Sequence, residues 1–325
     1  MFDLTNPDTI QSLLKKHNFA PNKFLGQNFL IDEKVLEKII ATANIKEGDN
    51  VIEIGPGLGV LTEALLAKGA NVVAIEKDKD LIPVLEENLK EFKSLKIIND
   101  DFLEVDLEKL LLGHSMSKSN LDIECPSKYK VVSNIPYYIT SPVLRKILTA
   151  ETRPEEIVFL VQREVAERIS AEPGQMSVIS VFVQFYGTPS VVEIVKPESF
   201  WPAPKVESAI LKIVVNKDSK VLSKQSTLLR PAFTKVSADK QGSEGFPPLF
   251  LRQAASKEGE KSFWRLVKIG FSSRRKTLAN NLAAGLRLKP TEVRESLKTL
   301  GFSDKTRAQE LGMEDWLKMR EKFIN

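Results

Sequence analysis

Asn50-Val51-Ile52-Glu53-Ile54-Gly55-Pro56-Gly57-Leu58-Gly59 joins a short apolar run to a glycine-rich loop, and a helical pattern follows over 58–68. Strand, glycine loop and helix in that order open a βαβ unit. Glycine at such a turn tolerates positive φ and lets the backbone approach a ligand closely. The next β-rich run, 71–75, ends just before Glu76. The pattern continues outward, with β-rich runs at 95–98, 130–133, 156–161, 191–195 and 209–215. Helical segments at 79–90, 103–112 and 142–150 separate the earlier runs, and Pro142 suits a first helical turn. Alternation of this kind predicts an α/β fold, a Rossmann-like, doubly wound, mostly parallel sheet of seven strands. No clear helix joins the last two runs, so they are expected to form an antiparallel pair at the sheet edge.

The chain has 325 residues, of which 42% are hydrophobic and 28% charged, an ordinary globular composition. That length holds one large domain and a smaller one. No apolar run is long enough to span a membrane, and residues 1–16 lack the apolar core of a signal peptide. A lone cysteine, Cys125, can form neither an intramolecular disulfide nor a cysteine-based metal site, so a reducing cytoplasm is the expected location. Charge is uneven. Residues 1–216 carry 24 basic and 31 acidic side chains, whereas residues 217–325 carry 23 and 12. A basic second part can meet a polyanion; a lysine-rich helical surface has the same composition.

Three regions follow. Residues 1–216 form the expected ligand-binding catalytic domain. Residues 217–261, rich in Ser, Lys, Gly and Pro, read as a linker or insertion. Residues 262–325 return to helical periodicity, with Phe263, Leu266, Val267 and Phe271 on one face and further helices at 291–300 and 314–323.

The glycine loop and Glu76 describe a nucleoside site, since a carboxylate there can accept from both ribose hydroxyls. A dinucleotide loop is spaced G-x-G-x-x-G. Here the third glycine arrives one residue early, which fits a donor without pyrophosphate, such as S-adenosylmethionine. Asp101, or its neighbour Asp100, is placed after the third strand to bind the exocyclic amine of the donor's adenine; a helix cap is the plainer use of either. After the fourth strand comes Asn134-Ile135-Pro136-Tyr137. The Asn134 side-chain carbonyl and the Ile135 main-chain carbonyl can each accept an N–H from an adenine-like amine. Pro136 fixes the backbone between them, and Tyr137 offers a stacking face worth about 1–3 kcal/mol. An amine lone pair delocalised into its ring needs placement more than deprotonation before it attacks an electrophilic methyl group. Neither His17, His114 nor Cys125 fits this site, and no metal is expected.

Four motifs occur in order: Lys23-Phe24-Leu25-Gly26-Gln27-Asn28-Phe29-Leu30, the glycine loop from Glu53 to Gly59, Asn134-Ile135-Pro136-Tyr137, and Phe200-Trp201-Pro202-Ala203-Pro204-Lys205-Val206-Glu207-Ser208. With Arg274-Arg275-Lys276-Thr277 near the C-terminus, the chain resembles the ribosomal RNA adenine dimethyltransferases of the universal small-subunit type. The resemblance spans nearly everything except about 217–260. It implies a class I methyltransferase fold, S-adenosylmethionine as donor, and two methyl transfers to each of two adjacent adenosines in a hairpin loop near the 3′ end of small-subunit (16S) rRNA. Small-subunit rRNA, in the subunit or its precursor, is the implied partner, in ribosome biogenesis; a monomer with no membrane association is expected. Carried onto this chain, Gln27, Asn28 and Leu30 lie over the donor, Gly55 and Gly57 approach it, Glu76 holds its ribose and Asp101 reads its adenine. Asn134 serves donor and target. Tyr137 and Phe200 sandwich the flipped target base. Arg274, Arg275 and Lys276 are the implied RNA contacts. Without the resemblance, Phe200 reads as a core aromatic.

The chain departs from the family pattern at 217–260 and at 113–127, both insertion-like and outside the motifs. Three rivals remain. A large-subunit rRNA methyltransferase of the antibiotic-resistance type shares Gln-Asn-Phe-Leu and Asn-Ile-Pro-Tyr; Gly26, Thr140-Ser141-Pro142 and the Arg274 segment favour the small-subunit type. Glu76, Asp101 and Asn134 argue against a non-catalytic assembly factor. The glycine spacing argues against a nicotinamide-dependent oxidoreductase.

Overall fold

The computed structural model describes residues 3–21, 26–111, 128–216 and 257–324. The chain divides into two units, Met1–Ser170 with Tyr186–Val215, and Ala171–Phe185 with Asn216–Asn325. No described helix is long and apolar enough to cross a membrane.

In the first unit, α1 (Pro7–Lys16), the short strand β1 (Phe29–Leu30) and α2 (Glu33–Thr42) precede the alternation. Then come β2 (Asn50–Ile54), α3 (Val60–Ala67), β3 (Asn71–Glu76), α4 (Ile82–Leu89), β4 (Leu95–Asn99), α5 (Leu107–Leu111), β5 (Lys130–Asn134), α6 (Thr140–Leu148), β6 (Glu156–Gln162) and α7 (Arg163–Ile169). After α8 (Val178–Tyr186) the chain adds β7 (Gly187–Val195), β8 (Phe200–Trp201) and β9 (Ser208–Val215). Sequence patterning leaves α7 and α8 unassigned. α2 starts at a capped turn, with Asp32 Oδ1 accepting the Lys34 and Val35 N–H groups at 3.0 and 3.3 Å.

The sheet has seven strands in the order β4-β3-β2-β5-β6-β9-β7, parallel except where β9 meets β6 and β7. The expected antiparallel pair is present, with β9 inside and β7 outermost. Runs of β-branched and aliphatic side chains suit strands covered on both faces. Val72, Ala74, Val132, Val158 and Leu160 accordingly join Ile39, Leu61 and Leu65 in one core cluster. Chain direction across the sheet switches between β2 and β5. Their ladder covers only Val51↔Lys130 and Ile52↔Val131; beyond it, the Ile54 N–H donates to Ser133 Oγ at 2.8 Å. Separate from the main sheet, β1 and β8 pair antiparallel, Phe29 opposite Trp201 and Leu30 opposite Phe200.

The second unit is helical: α9 (Lys257–Gly270), α10 (Leu278–Leu286), α11 (Pro290–Thr299) and α12 (Met313–Ile324). Its core combines Phe263, Leu266, Leu278, Leu282, Val293, Leu297 and Trp316 with Met176 and Val181. The Phe185 and Phe263 rings stack with centroids 5.1 Å apart. A Cβ on Gly270 would lie 2.3 Å from the Trp316 ring, so the α9 terminus carries no side chain. The expected boundaries therefore need correction. The helical unit is not 262–325 alone: α9 begins at Lys257, and residues 171–185 belong here because Met176 and Val181 join its core and the Phe182 and Phe185 rings meet Phe263 and Trp264 of α9. The insertions expected at 113–127 and over 217–256, with His114 and Cys125, lie outside the described residues, as does Lys23-Phe24-Leu25.

Candidate active site

A cavity of about 160 Å³ lies at the carboxyl ends of β2, β3 and β5, where the strand order switches. Open α/β sheets bind ligands at that position because the flanking loops part there. Gln27, Asn28, Leu30, Gly55, Gly57, Glu76, Asp101, Asn134, Ile135, Pro136 and Tyr137 all line it.

The glycine loop forms one wall. Gly57 has φ 61°, and a Cβ there would lie 3.2 Å from the Phe29 ring, so both backbone and space require glycine. The Gly57 N–H donates to Glu76 Oε2 at 3.1 Å, and the Asp78 N–H donates to Oε1 at 2.8 Å. Glu76 is 6% exposed. Burial raises its carboxyl above the ordinary value against the pull of those two N–H groups. An ionised carboxylate has about four acceptor positions, so two remain for a ligand's hydroxyls.

Asp101 accepts the Leu103 N–H on Oδ1 at 2.9 Å and the Lys77 ammonium on Oδ2 at 2.8 Å. Burial works to raise this carboxyl, but the two hydrogen bonds and the Lys77 charge prevail and hold it below the usual range. Asp100 shares the wall, with Oδ1 accepting the Asp101 N–H at 2.7 Å. Glu53 also lines the cavity at 1% exposure, and its Oε2 has no hydrogen-bond partner. Burial, and secondarily the Glu76 charge, push its carboxyl up to about 8. Neither Glu53 Oε2 nor Thr62 Oγ1 completes a hydrogen bond of good geometry, so the nearby Thr62 hydroxyl offsets little of this.

Opposite lie the Gln27 and Asn134 segments. Gln27 Nε2 donates to Asp78 Oδ2 at 2.8 Å, and Asn28 Nδ2 donates to the Gly26 carbonyl at 3.1 Å. Asn134 Nδ2 donates to the Asn28 carbonyl at 3.1 Å. That contact commits the amide nitrogen and turns Oδ1 to other donors. The Ile135 side chain is buried, its N–H donating to the Leu160 carbonyl at 3.2 Å, so β6 anchors the turn.

One expected site residue is placed elsewhere. Phe200 is 3% exposed, pairs with Leu30 across β1 and β8, and packs in the core cluster rather than on the cavity wall. The physical reason is the β1–β8 bridge, which turns Phe200 inward beside Leu30. Arg274, Arg275 and Lys276 are exposed in the helical unit, between α9 and α10. Sequence reasoning missed Lys77 and Tyr138, both on the wall; Tyr138 is 56% exposed. The side chain after Glu76 and the second tyrosine after Pro136 are the signals available for them.

The cavity's donor set favours a nucleoside without phosphate. Glu53, Glu76, Asp100 and Asp101 line it, and among the described residues its one lysine, Lys77, is already paired with Asp101. A pyrophosphate would meet carboxylates rather than cations, whereas a cationic sulfonium is compatible with them. These residues fit S-adenosylmethionine.

Residues 18–238 match the family described as ribosomal RNA adenine dimethylase. A protein of Dehalococcoides mccartyi named ribosomal RNA small subunit methyltransferase A is 38% identical over 309 residues, 95% of this chain and 90% of its own. A protein of the same name from Alkaliphilus metalliredigens is 34% identical over 319 residues, 97% of this chain and 96% of its own. Among solved structures, a dimethyladenosine transferase from Plasmodium falciparum superposes with TM-score 0.64 at 24% identity, covering 90% of this chain and 96% of that one. That likeness is one of fold.

Proposed function

From its membership of the ribosomal RNA adenine dimethylase family, which makes the chain an S-adenosylmethionine-dependent 16S rRNA adenine dimethyltransferase, we propose how its residues divide the work. Bound S-adenosylmethionine supplies an electrophilic methyl group on a sulfonium. Glu76 accepts from the donor's ribose, and its bonds to the Gly57 and Asp78 N–H groups keep the carboxylate and glycine loop in one arrangement. Gly55 and Gly57 allow close approach of the backbone. Asp101 reads the donor's adenine while Lys77 keeps its carboxylate ionised. Gln27, Asn28 and Leu30 close the opposite side.

The observation that carries the proposal is the Asn134–Asn28 contact. With its nitrogen bound, Asn134 presents Oδ1 as an acceptor beside the Ile135 carbonyl. Two acceptors hold the two hydrogens of an adenine amine, aim its lone pair and favour the positive charge that develops on nitrogen. No side chain need remove a proton beforehand. The proton released after methylation leaves to water. Tyr137 supplies the stacking face. The target is two adjacent adenosines near the 3′ end of 16S rRNA, in the small subunit or its precursor, and the chain acts as a monomer.

Methyl transfer from labelled donor to small subunits lacking the modification, followed by nucleoside analysis, tests this. Dimethyladenosine at two adjacent positions is expected. Modification of large-subunit RNA instead, or donor binding without transfer, overturns it.

A further inference from the structure

The helical unit contains a second cavity, of about 120 Å³, and its chemistry is opposite to the first. Its charged lining side chains are Arg274, Lys276 and Arg307, with no Asp or Glu on the wall. Ser177, Ser273 and Gln309 add neutral polar groups. Among the described residues, none of the three cations forms an ion pair, although the unit makes such pairs elsewhere, as between Lys298 and Asp304.

Three remote segments build this cavity, and specific hydrogen bonds hold each. The Gly174 and Met176 N–H groups donate to the Gln309 carbonyl at 2.9 and 3.1 Å, joining the loop before α8 to the turn carrying Arg307. The Leu278 N–H donates to the Thr306 carbonyl at 2.8 Å, which sets the start of α10 beside that turn. Asn281, 3% exposed, donates through Nδ2 to the Gly270 and Ser273 carbonyls at 2.6 and 3.0 Å, fixing the loop that leads into Arg274. A charged surface spread along a helix needs no such convergence. Here hydrogen bonds hold three like charges around one concavity, where a single anion is attracted to all of them at once. α10 begins directly after this loop, and its N-cap Thr277 makes no side-chain capping bond, so the positive helix end adds to the potential.

We propose that this cavity seats one phosphate of the RNA backbone, with Arg274, Lys276 and Arg307 as its ligands. Two guanidinium groups match the oxygens of a tetrahedral anion through paired N–H donors. The assignment rests on the reading of the protein as an rRNA enzyme and narrows it: Arg307 and residues 175–177, which carry no RNA signature in the sequence, become part of the RNA surface, whereas Arg275, outside the lining, does not share this phosphate.

Inorganic phosphate is the probe. The full-length chain, as wild type, R307Q and R274Q, is titrated while arginine Nε–Hε resonances are followed by NMR. The salt dependence of binding to small-subunit RNA is measured on the same proteins, with thermal melts confirming that each variant folds. Saturable shifts at Arg274 and Arg307, lost in R307Q, are expected, with the slope of log K against log salt reduced by about 0.7–0.9 in each variant. Non-saturable shifts, or shifts that persist in R307Q, overturn the site. Saturable phosphate binding with an unchanged RNA salt slope marks it as a site for a free anion and overturns the RNA assignment. Methyl transfer is scored separately, so phosphate binding and an altered slope in a protein that never methylates small subunits fault the activity and leave the cavity standing.

Discussion

The Tyr137 hydroxyl and Ser208 Oγ lie 2.7 Å apart, one following Asn134-Ile135-Pro136 and the other opening β9. This bond ties the third of the four motifs to the end of the fourth. Burial raises the Tyr137 hydroxyl above its ordinary value against the pull of Ser208, so tyrosine stays a neutral phenol at working pH. The proposed role of Tyr137 therefore rests on its ring, not on its ionisation. Tyr137→Ala is expected to lower kcat/KM for small subunits by about 5- to 150-fold, the equivalent of one stacked base. Tyr137→Phe keeps the ring and should stay within about tenfold of wild type while losing about 0.5–1.5 kcal/mol of stability. Single-turnover methylation and thermal melts distinguish them; equal activity losses in the two variants would assign the work to the hydroxyl.

In the proposed arrangement, Asn134→Ala removes the acceptor that acts on the amine as charge develops. A fall in kcat of about 10²–10³-fold is expected, the range for removing one preorganised polar group, with the melting temperature little changed. Wild-type turnover by a folded Asn134→Ala protein would end the proposed role.

Glu53 gives the donor-free protein a pH dependence. Its carboxyl titrates near 4.5 when unfolded and at about 8 when folded. Between those values the folded state holds a proton that the unfolded state has released. Stability is therefore lost as pH rises through this window and levels off above it. Glu53→Gln should flatten the loss, which amounts to a few kcal/mol at most. Thermal melts at pH 5 and pH 8 measure it; parallel pH profiles for the two proteins would contradict the assignment.

Gly57→Ala places a Cβ at positive φ against the Phe29 ring, 3.2 Å away. A destabilisation of about 1–2 kcal/mol is expected from backbone conformation alone. Donor affinity should also fall, because the Gly57 N–H that steadies Glu76 shifts with the loop. Calorimetric titration with S-adenosylmethionine reads that second effect, and unchanged affinity would dissociate the loop from Glu76.

Changing Arg274, Arg275 and Lys276 together to glutamine should weaken binding to small-subunit RNA and flatten its salt dependence by about two units. An unaltered slope would remove the loop from the RNA surface.

What the sequence made legible was local. Gly55, Gly57 and Gly59 announce themselves because a strand-to-helix turn at positive φ restricts the residue type, and Asn134 to Tyr137 lie consecutively after a strand. Phe200 resisted because its direction depends on a two-residue bridge to Leu30, 170 positions away in sequence, with no periodicity to read. Lys77 resisted because an ion pair to Asp101 is set by neighbouring strand ends, not by spacing. α8 resisted for a different reason. Val178-Ile179-Ser180-Val181-Phe182-Val183-Gln184-Phe185-Tyr186 is apolar nearly throughout, so neither a helical stripe nor strict alternation stands out.

The path through that helix sets where the protein can be cut. The chain leaves the sheet unit after Ser170, contributes Ala171–Phe185 to the helical core, and returns at Tyr186 for its last strands. A gene fragment ending near residue 216 would encode every described strand yet leave Met176 and Val181 in water without Phe263 and Leu266. The complementary piece starting at residue 257 would lack part of its own interior. Neither half is a transplantable module, and shuffling the C-terminal helices between relatives requires exchanging the 171–185 segment with them.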